Sequence, residues 1–179
     1  PSHIPVSAKM RLGYMDRNYT LENAHAIEDA GASWLTVHAR TKSEGYTPPA
    51  YWDQLKPIRD ALKINVIANG EIWNNTDAKQ CQIESGCDDL MIGRGAVTTP
   101  DITQCIRQNT NQPLLSWNDL LALQIRFLNS SYKKEMNMVG RYKQWLGMMS
   151  KHYPEAKELW GEVKRVKDLM LIINLLNSN

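Results

Sequence analysis

Four short apolar runs, at residues 6–10, 34–37, 65–68 and 90–92, recur at intervals of roughly 25–30 residues, each bounded by polar or turn residues. Runs of this length fit parallel strands buried on both faces. Helical stretches separate them. The first, at 21–30, stops at Gly31, and a second begins after Thr76 and stops at Gly86. A third opens at Thr99-Pro100, where threonine can cap and proline suits the first helical position. Pro57 interrupts 52–62, so a short turn followed by a helix is expected there. Four βα units predict an α/β protein, either part of a (β/α)₈ barrel or a doubly wound sheet. Four units are half of a barrel, and alone they would leave unpaired edges on the outer strands. Together with a start at Pro1 directly ahead of a strand, this leads us to expect missing sequence upstream.

From Ser116 onward the pattern becomes purely helical. Ser116-Trp117-Asn118-Asp119 has the form of a capping box with aspartate as its carboxylate, followed by Leu120, Leu121, Leu123, Phe127 and Leu128. Two more helices are expected, at 136–152 and 155–177, with Pro154 as the break and Gly161 weakening the second. The expected domains are therefore 1–112, α/β, and 113–179, a small helical bundle, joined near 109–113. The charge divides the same way. Residues 1–112 hold 11 Lys/Arg against 13 Asp/Glu, whereas residues 113–179 hold 10 against 6. That bias puts any polyanion contact on the C-terminal part, although a solvated helix face would give the same count.

Several function classes drop out. No apolar run approaches the roughly 18 residues of a membrane span. No CxxC or HExxH spacing occurs, so no metal site is expected. Cys81, Cys87 and Cys105 lack framework spacing, which suggests a reducing, cytoplasmic setting with the thiols packed as small apolar side chains.

The candidate chemistry lies at the strand ends, where α/β folds bind ligands. Asn69-Gly70 follows the third run and Gly93-Arg94-Gly95 the fourth. Glycines at both positions let backbone N–H groups approach an anion, which predicts a phosphate-bearing cofactor. Lys9 ends the first run and can face a group that gains negative charge; His38, one strand on, can bond to the same ring system. Arg11 and Arg40 each lie two residues further, on the same faces, and are expected at the mouth, either as substrate contacts or as a solvated rim. The loop 41–52 is expected to cover part of that mouth. In the helical part, Lys133, Lys134, Arg141, Lys143, Lys164, Arg165 and Lys167 interleave with Tyr132, Tyr142, Trp145 and Trp160, a mixture suited to RNA. Trp145 and Trp160 read equally well as bundle core, and Met136, Met138, Met148 and Met149 as core filling.

Lys9-Met10-Arg11-Leu12-Gly13, Val37-His38-Ala39-Arg40-Thr41, Ala68-Asn69-Gly70-Glu71-Ile72 and Ile92-Gly93-Arg94-Gly95-Ala96, in that order, resemble the tRNA-dihydrouridine synthases. The resemblance covers essentially the whole chain. Tyr46-Thr47-Pro48-Pro49-Ala50-Tyr51-Trp52 and the long tail are most similar to the bacterial C-type. It implies the second half of a (β/α)₈ barrel followed by a helical tRNA-binding domain, acting on uridine 16 of the tRNA D-loop. It further implies that NADPH reduces FMN, that hydride passes to C6 of a flipped-out uridine, and that a cysteine protonates C5. By the family pattern Lys9 and His38 hold the isoalloxazine and Asn69, Gly70, Gly93, Arg94 and Gly95 the FMN phosphate, with Glu71 also among the expected cofactor-binding residues. Arg11 and Arg40, with Lys143, Lys164, Arg165 and Lys167, would meet the substrate. Ala68 and Glu71 depart from the family's frequent Gly and Asp. The proton-donating cysteine is expected ahead of Pro1, so the 179 residues alone are expected to be inactive, and the complete protein a monomer. Two other readings stay open: a flavin barrel of the dihydroorotate dehydrogenase kind, and a non-catalytic RNA-binding piece.

Overall fold

The computed structural model describes residues 4–130 and 138–178. The chain divides into two compact units, Pro1–Gly95 with Ile106–Asn111 and Ala96–Cys105 with Gln112–Asn179. The first is α/β. Strands β1 (Ala8–Arg11), β2 (Trp34–His38), β3 (Asn65–Asn69) and β4 (Leu90–Met91) alternate with helices α1 (Thr20–Asp29), α2 (Lys56–Ala61) and α3 (Asn75–Ser85). Every pairing is parallel, and the sheet order follows the chain order. Parallel neighbours need a crossover, and each crossover here carries one of the three helices.

Strand alternation divides the sheet into two chemically different faces. Leu35, Val37, Val66 and Ala68 are buried with Ala24 of α1, Ile58 of α2, and Ala78 and Cys81 of α3. Each side chain of Val or Leu size in that layer contributes about 1.5–3 kcal/mol by burial, which fixes the sheet on its helices. Lys9, Arg11, Thr36, His38, Ile67 and Asn69 take the opposite face. The register sets Arg11 level with His38, His38 with Asn69, and Asn69 with Met91, so the strand ends form one row.

Local signals explain most boundaries. Gly31 and Gly86 both take positive φ, 87° and 67°, beyond the ends of α1 and α3. α3 starts ahead of its expected place because Asn74, and not Thr76, is the cap; its side chain accepts from the Asp77 N–H at 2.9 Å. Residues 52–55 form a short 3₁₀ turn, and Pro57 then lies in the first turn of α2, where its missing N–H is harmless. One expectation needs correction. Helix α4 (Arg94–Thr98) begins directly after β4, and α5 (Ile102–Arg107) follows a turn closed by the Ile102 N–H on the Thr99 carbonyl at 3.0 Å. Thr99-Pro100 therefore occupies a turn between two helices. Residues 109 and 111 return to the start of α3, where Asn109 accepts from Asn75 and Asn111 bonds to both Thr76 groups.

The second unit is helical, with α6 (Trp117–Leu128), α7 (Met138–Met149), α8 (Pro154–Val163) and α9 (Leu169–Ser178). The capping box is complete: Ser116 Oγ accepts from the Asp119 N–H, and the Asp119 carboxylate accepts from the Ser116 N–H. The expected single helix over 155–177 is two. Asp168 caps a new one, its Oδ1 accepting from the Leu171 N–H at 2.8 Å, and Gly161 lies inside α8 without breaking it. Leu120, Leu128, Leu146, Met149, Leu159 and Ile172 form the core. Tyr142 is fully buried among them and donates to Gln124 Oε1 at 2.8 Å, so it belongs to the packing and offers no base-stacking face. Trp145 and Trp160 are half-buried against the same core, with Trp145 donating to the Val97 carbonyl at 2.7 Å. Met138 and Met149 are buried core residues. Tyr132, Lys133, Lys134 and Met136 lie outside the described residues.

Candidate cofactor site

A cavity of about 410 Å³ opens in the first unit at the C-terminal ends of the strands. Lys9 and Arg11 reach it from β1, His38 from β2, and Asn69, Gly70 and Glu71 from the end of β3. Gly93, Arg94 and Gly95 close it after β4. All eight residues expected to hold a cofactor thus line one cavity, and Arg11 joins them. Tyr46, Ile72, Trp73, Met91 and Ile92 also line it. Of these, Trp73 had a readable signal: an aromatic two residues past Glu71, just beyond a strand end.

Arg40 is not on this wall. Its side chain is wholly buried, with Nη2 3.0 Å from Glu71 Oε1 and Nε donating to the Pro49 carbonyl at 3.0 Å. A buried guanidinium needs a countercharge, and Glu71 supplies it. The expected rim contact is in fact an internal ion pair. Arg11 is tied to the loop: its Nη1 donates to the carbonyls of Thr41 and Gly45 at 2.7 and 2.9 Å, beneath the Tyr46 ring. The loop after β2 is thereby held at the cavity mouth, with the guanidinium groups of Arg11 and Arg94 both over the exposed Tyr46 ring.

The glycines play different parts. Gly70 has φ 126°, and a Cβ there would press on the His38 ring at 3.0 Å. Its carbonyl accepts from Trp52 Nε1 at 2.8 Å. A Cβ on Gly95 would lie 2.1 Å from the Ile72 carbonyl oxygen. At Gly93 the same addition would meet nothing within 4 Å. Packing does not require a glycine at 93, and that open space suits a ligand approaching the backbone.

The electrostatics favour an anion. Burial, then the charges of Arg11, Lys9, Arg40 and Arg94, push the His38 imidazole down to about 4, so it is neutral near pH 7. Burial and Arg11 also lower the Lys9 ammonium, partly offset by Tyr46. For Glu71, burial acts to raise the carboxyl, but the Trp73 indole and the Arg40 and Arg94 guanidinium groups outweigh it and hold it ionised. The site thus presents cations, one compensated carboxylate and a neutral imidazole.

The cysteines lie elsewhere. Cys81, Cys87 and Cys105 are free and buried, and none lines the cavity. Among the described residues no group of three His, Cys, Asp or Glu side chains could hold a metal, and no helix is long and apolar enough to cross a membrane. In the second unit Lys164, Arg165 and Lys167 are exposed on the segment between α8 and α9, and Lys143 reaches it by donating to the Lys164 carbonyl at 2.9 Å.

The chain belongs to the dihydrouridine synthase family, whose model matches residues 2–172. It is 43% identical to a tRNA-dihydrouridine(16) synthase of Shewanella oneidensis over 99% of this chain and 56% of that protein. It is 42% identical to one of Pseudomonas putida, over 98% of this chain and 56% of the relative. A third, from Neisseria meningitidis serogroup B, is 44% identical over 98% of this chain and 55% of its own length. The chain therefore spans about half the length of the curated relatives it matches.

Proposed function

We propose that this chain is the second half of a (β/α)₈ barrel, residues 1–112, with a helical tRNA-binding domain, residues 113–179. The whole protein would be a cytoplasmic, monomeric, FMN-dependent enzyme that reduces uridine 16 of tRNA to dihydrouridine with NADPH. The observation that carries this reading is the cavity at the strand ends, walled by Lys9, His38, 69–71 and 93–95. Its volume falls in the range of cofactor pockets. Cations surround it, and the open space at Gly93 can admit a phosphate to the backbone, so the residues fit FMN.

Bound there, the flavin would supply hydride transfer. The chain's own residues do the rest. Lys9 is placed to stabilise negative charge on the pyrimidine end of the ring system, and the neutral His38 can hydrogen-bond to it without adding repulsion among the cations. Asn69, with Nδ2 already donating to the Met91 carbonyl at 2.7 Å, holds the ends of β3 and β4 together beneath the phosphate glycines. Arg11 and Tyr46 form the mouth through which a uracil would enter. We assign Lys143, Lys164, Arg165 and Lys167 to tRNA phosphates. The three cysteines here are buried and none lines the cavity, which supports a proton donor supplied by the other half of the barrel.

Absorbance and mass analysis of the purified whole protein tests this directly. FMN recovered in about equal amount to protein, and lost in Lys9→Ala with Gly93→Val, is the expected result. A colourless protein that takes up no added FMN would refute the reading.

A further inference from the structure

We propose that Glu71 is a positioning residue that holds Arg94 ready for the cofactor's phosphate and is not itself a ligand of the cofactor; this rests on the flavin reading above. Its two carboxylate oxygens are both engaged by the protein. Oε1 accepts from Arg94 Nη2 at 2.6 Å and pairs with Arg40 Nη2 at 3.0 Å, and Oε2 accepts from Trp73 Nε1 at 3.0 Å. Three contacts on a carboxylate with about four acceptor positions leave little room for the hydroxyls and N–H groups of a ligand. It would repel a phosphate unless its charge were balanced, and two guanidinium groups balance it here.

The three charged residues differ in mobility. Arg40 has no exposed side-chain surface and is fixed a second time by the Pro49 carbonyl, so it is an anchor. Glu71 takes φ 52°, a conformation uncommon for a side chain of this size, at the point where the chain leaves β3. Arg94 is 41% exposed on the cavity wall beside Gly93. An arginine so placed would otherwise sample many rotamers. Glu71 restrains one end of its guanidinium, and the rings of Trp73 and Tyr46, 5.0 and 4.9 Å away, restrain the plane. The order of support therefore runs from buried Arg40 through Glu71 to Arg94 and then to the anion. A fork held in place loses less freedom on binding phosphate, which is what pre-organisation contributes to affinity.

The test compares FMN with riboflavin, which lacks only the phosphate, by flavin fluorescence quenching in the whole protein. Wild type is expected to prefer FMN. Glu71→Gln should lower that preference by about 10-fold, the scale of one charge-assisted hydrogen bond, while riboflavin binding stays the same. Arg94→Gln should do likewise, and adding Glu71→Gln to Arg94→Gln should change nothing further. If Glu71→Gln fails to fold because Arg40 loses its countercharge, Glu71→Asp keeps the charge but withdraws it. A smaller loss of preference is then expected, again absent in the Arg94→Gln background. An undiminished preference in the Glu71 variants, or equal losses with and without Arg94, would overturn the proposal and leave the flavin site standing. Failure of wild type to bind either flavin would overturn both.

Discussion

Gly95 sits so tightly under Ile72 that a Cβ at position 95 would lie 2.1 Å from the Ile72 carbonyl oxygen. This contact fixes the start of α4 against the loop that leaves β3, and thereby brings the two glycine segments of the cavity together. Gly95→Ala must push backbone against backbone and is expected to destabilise the fold by about 1–3 kcal/mol or more. Gly93→Ala, with open space before it, should leave stability unchanged and weaken FMN about 10-fold or more. Chemical denaturation and flavin titration of the two variants check this contrast. Equal stability losses would contradict it.

His38 gives a pH signature. Its imidazole sits at about 4 in the fold against 6.5 ordinarily, so between those values the unfolded chain binds the extra proton. The contribution of neutral His38 is full above pH 6.5 and is lost as pH falls toward 4, with no further loss below that. The total is about 3 kcal/mol. An NMR titration should show the His38 ring still neutral at pH 5; a midpoint near 6.5 would exclude an imidazole buried beside four cations.

The thiols should be inert. Burial pushes Cys81 up to about 12 and raises Cys87 and Cys105. Native protein treated with iodoacetamide at pH 8 is expected to leave all three unmodified until denaturant is added. Rapid labelling of any of them would place it at the surface.

The helical unit makes a separate prediction. Removing Lys164, Arg165 and Lys167 together by alanine should lower tRNA affinity for all sequences alike. It should also flatten the plot of log affinity against log salt by about 2 units. Unchanged salt dependence would mean that these residues are only a solvated face.

Much of this was legible because it depends on neighbours in sequence. The strand ends read correctly since polar residues and glycine stop short apolar runs, and the Ser116–Asp119 box read correctly since a capping box spans only four residues. What escaped depends on partners far along the chain. Arg40 looks like a rim residue from its spacing with His38, and only the fold brings Glu71 and Pro49 around it. Gly93 and Gly95 look alike as letters, but Ile72 crowds one and nothing crowds the other. Tyr142 alternates with lysines like a stacking aromatic, yet the helix face it lies on points at Gln124. The split of 155–177 was readable in principle, because Asp168 carries an ordinary cap signal three residues before Leu171.

The most direct test of the central claim is mass-spectrometric mapping of dihydrouridine in unmodified tRNA after incubation with the whole protein, FMN and NADPH. Dihydrouridine at position 16, lost in Lys9→Ala and Arg11→Ala, is the predicted result. NADPH oxidation without dihydrouridine, or dihydrouridine confined to another position, would contradict the account.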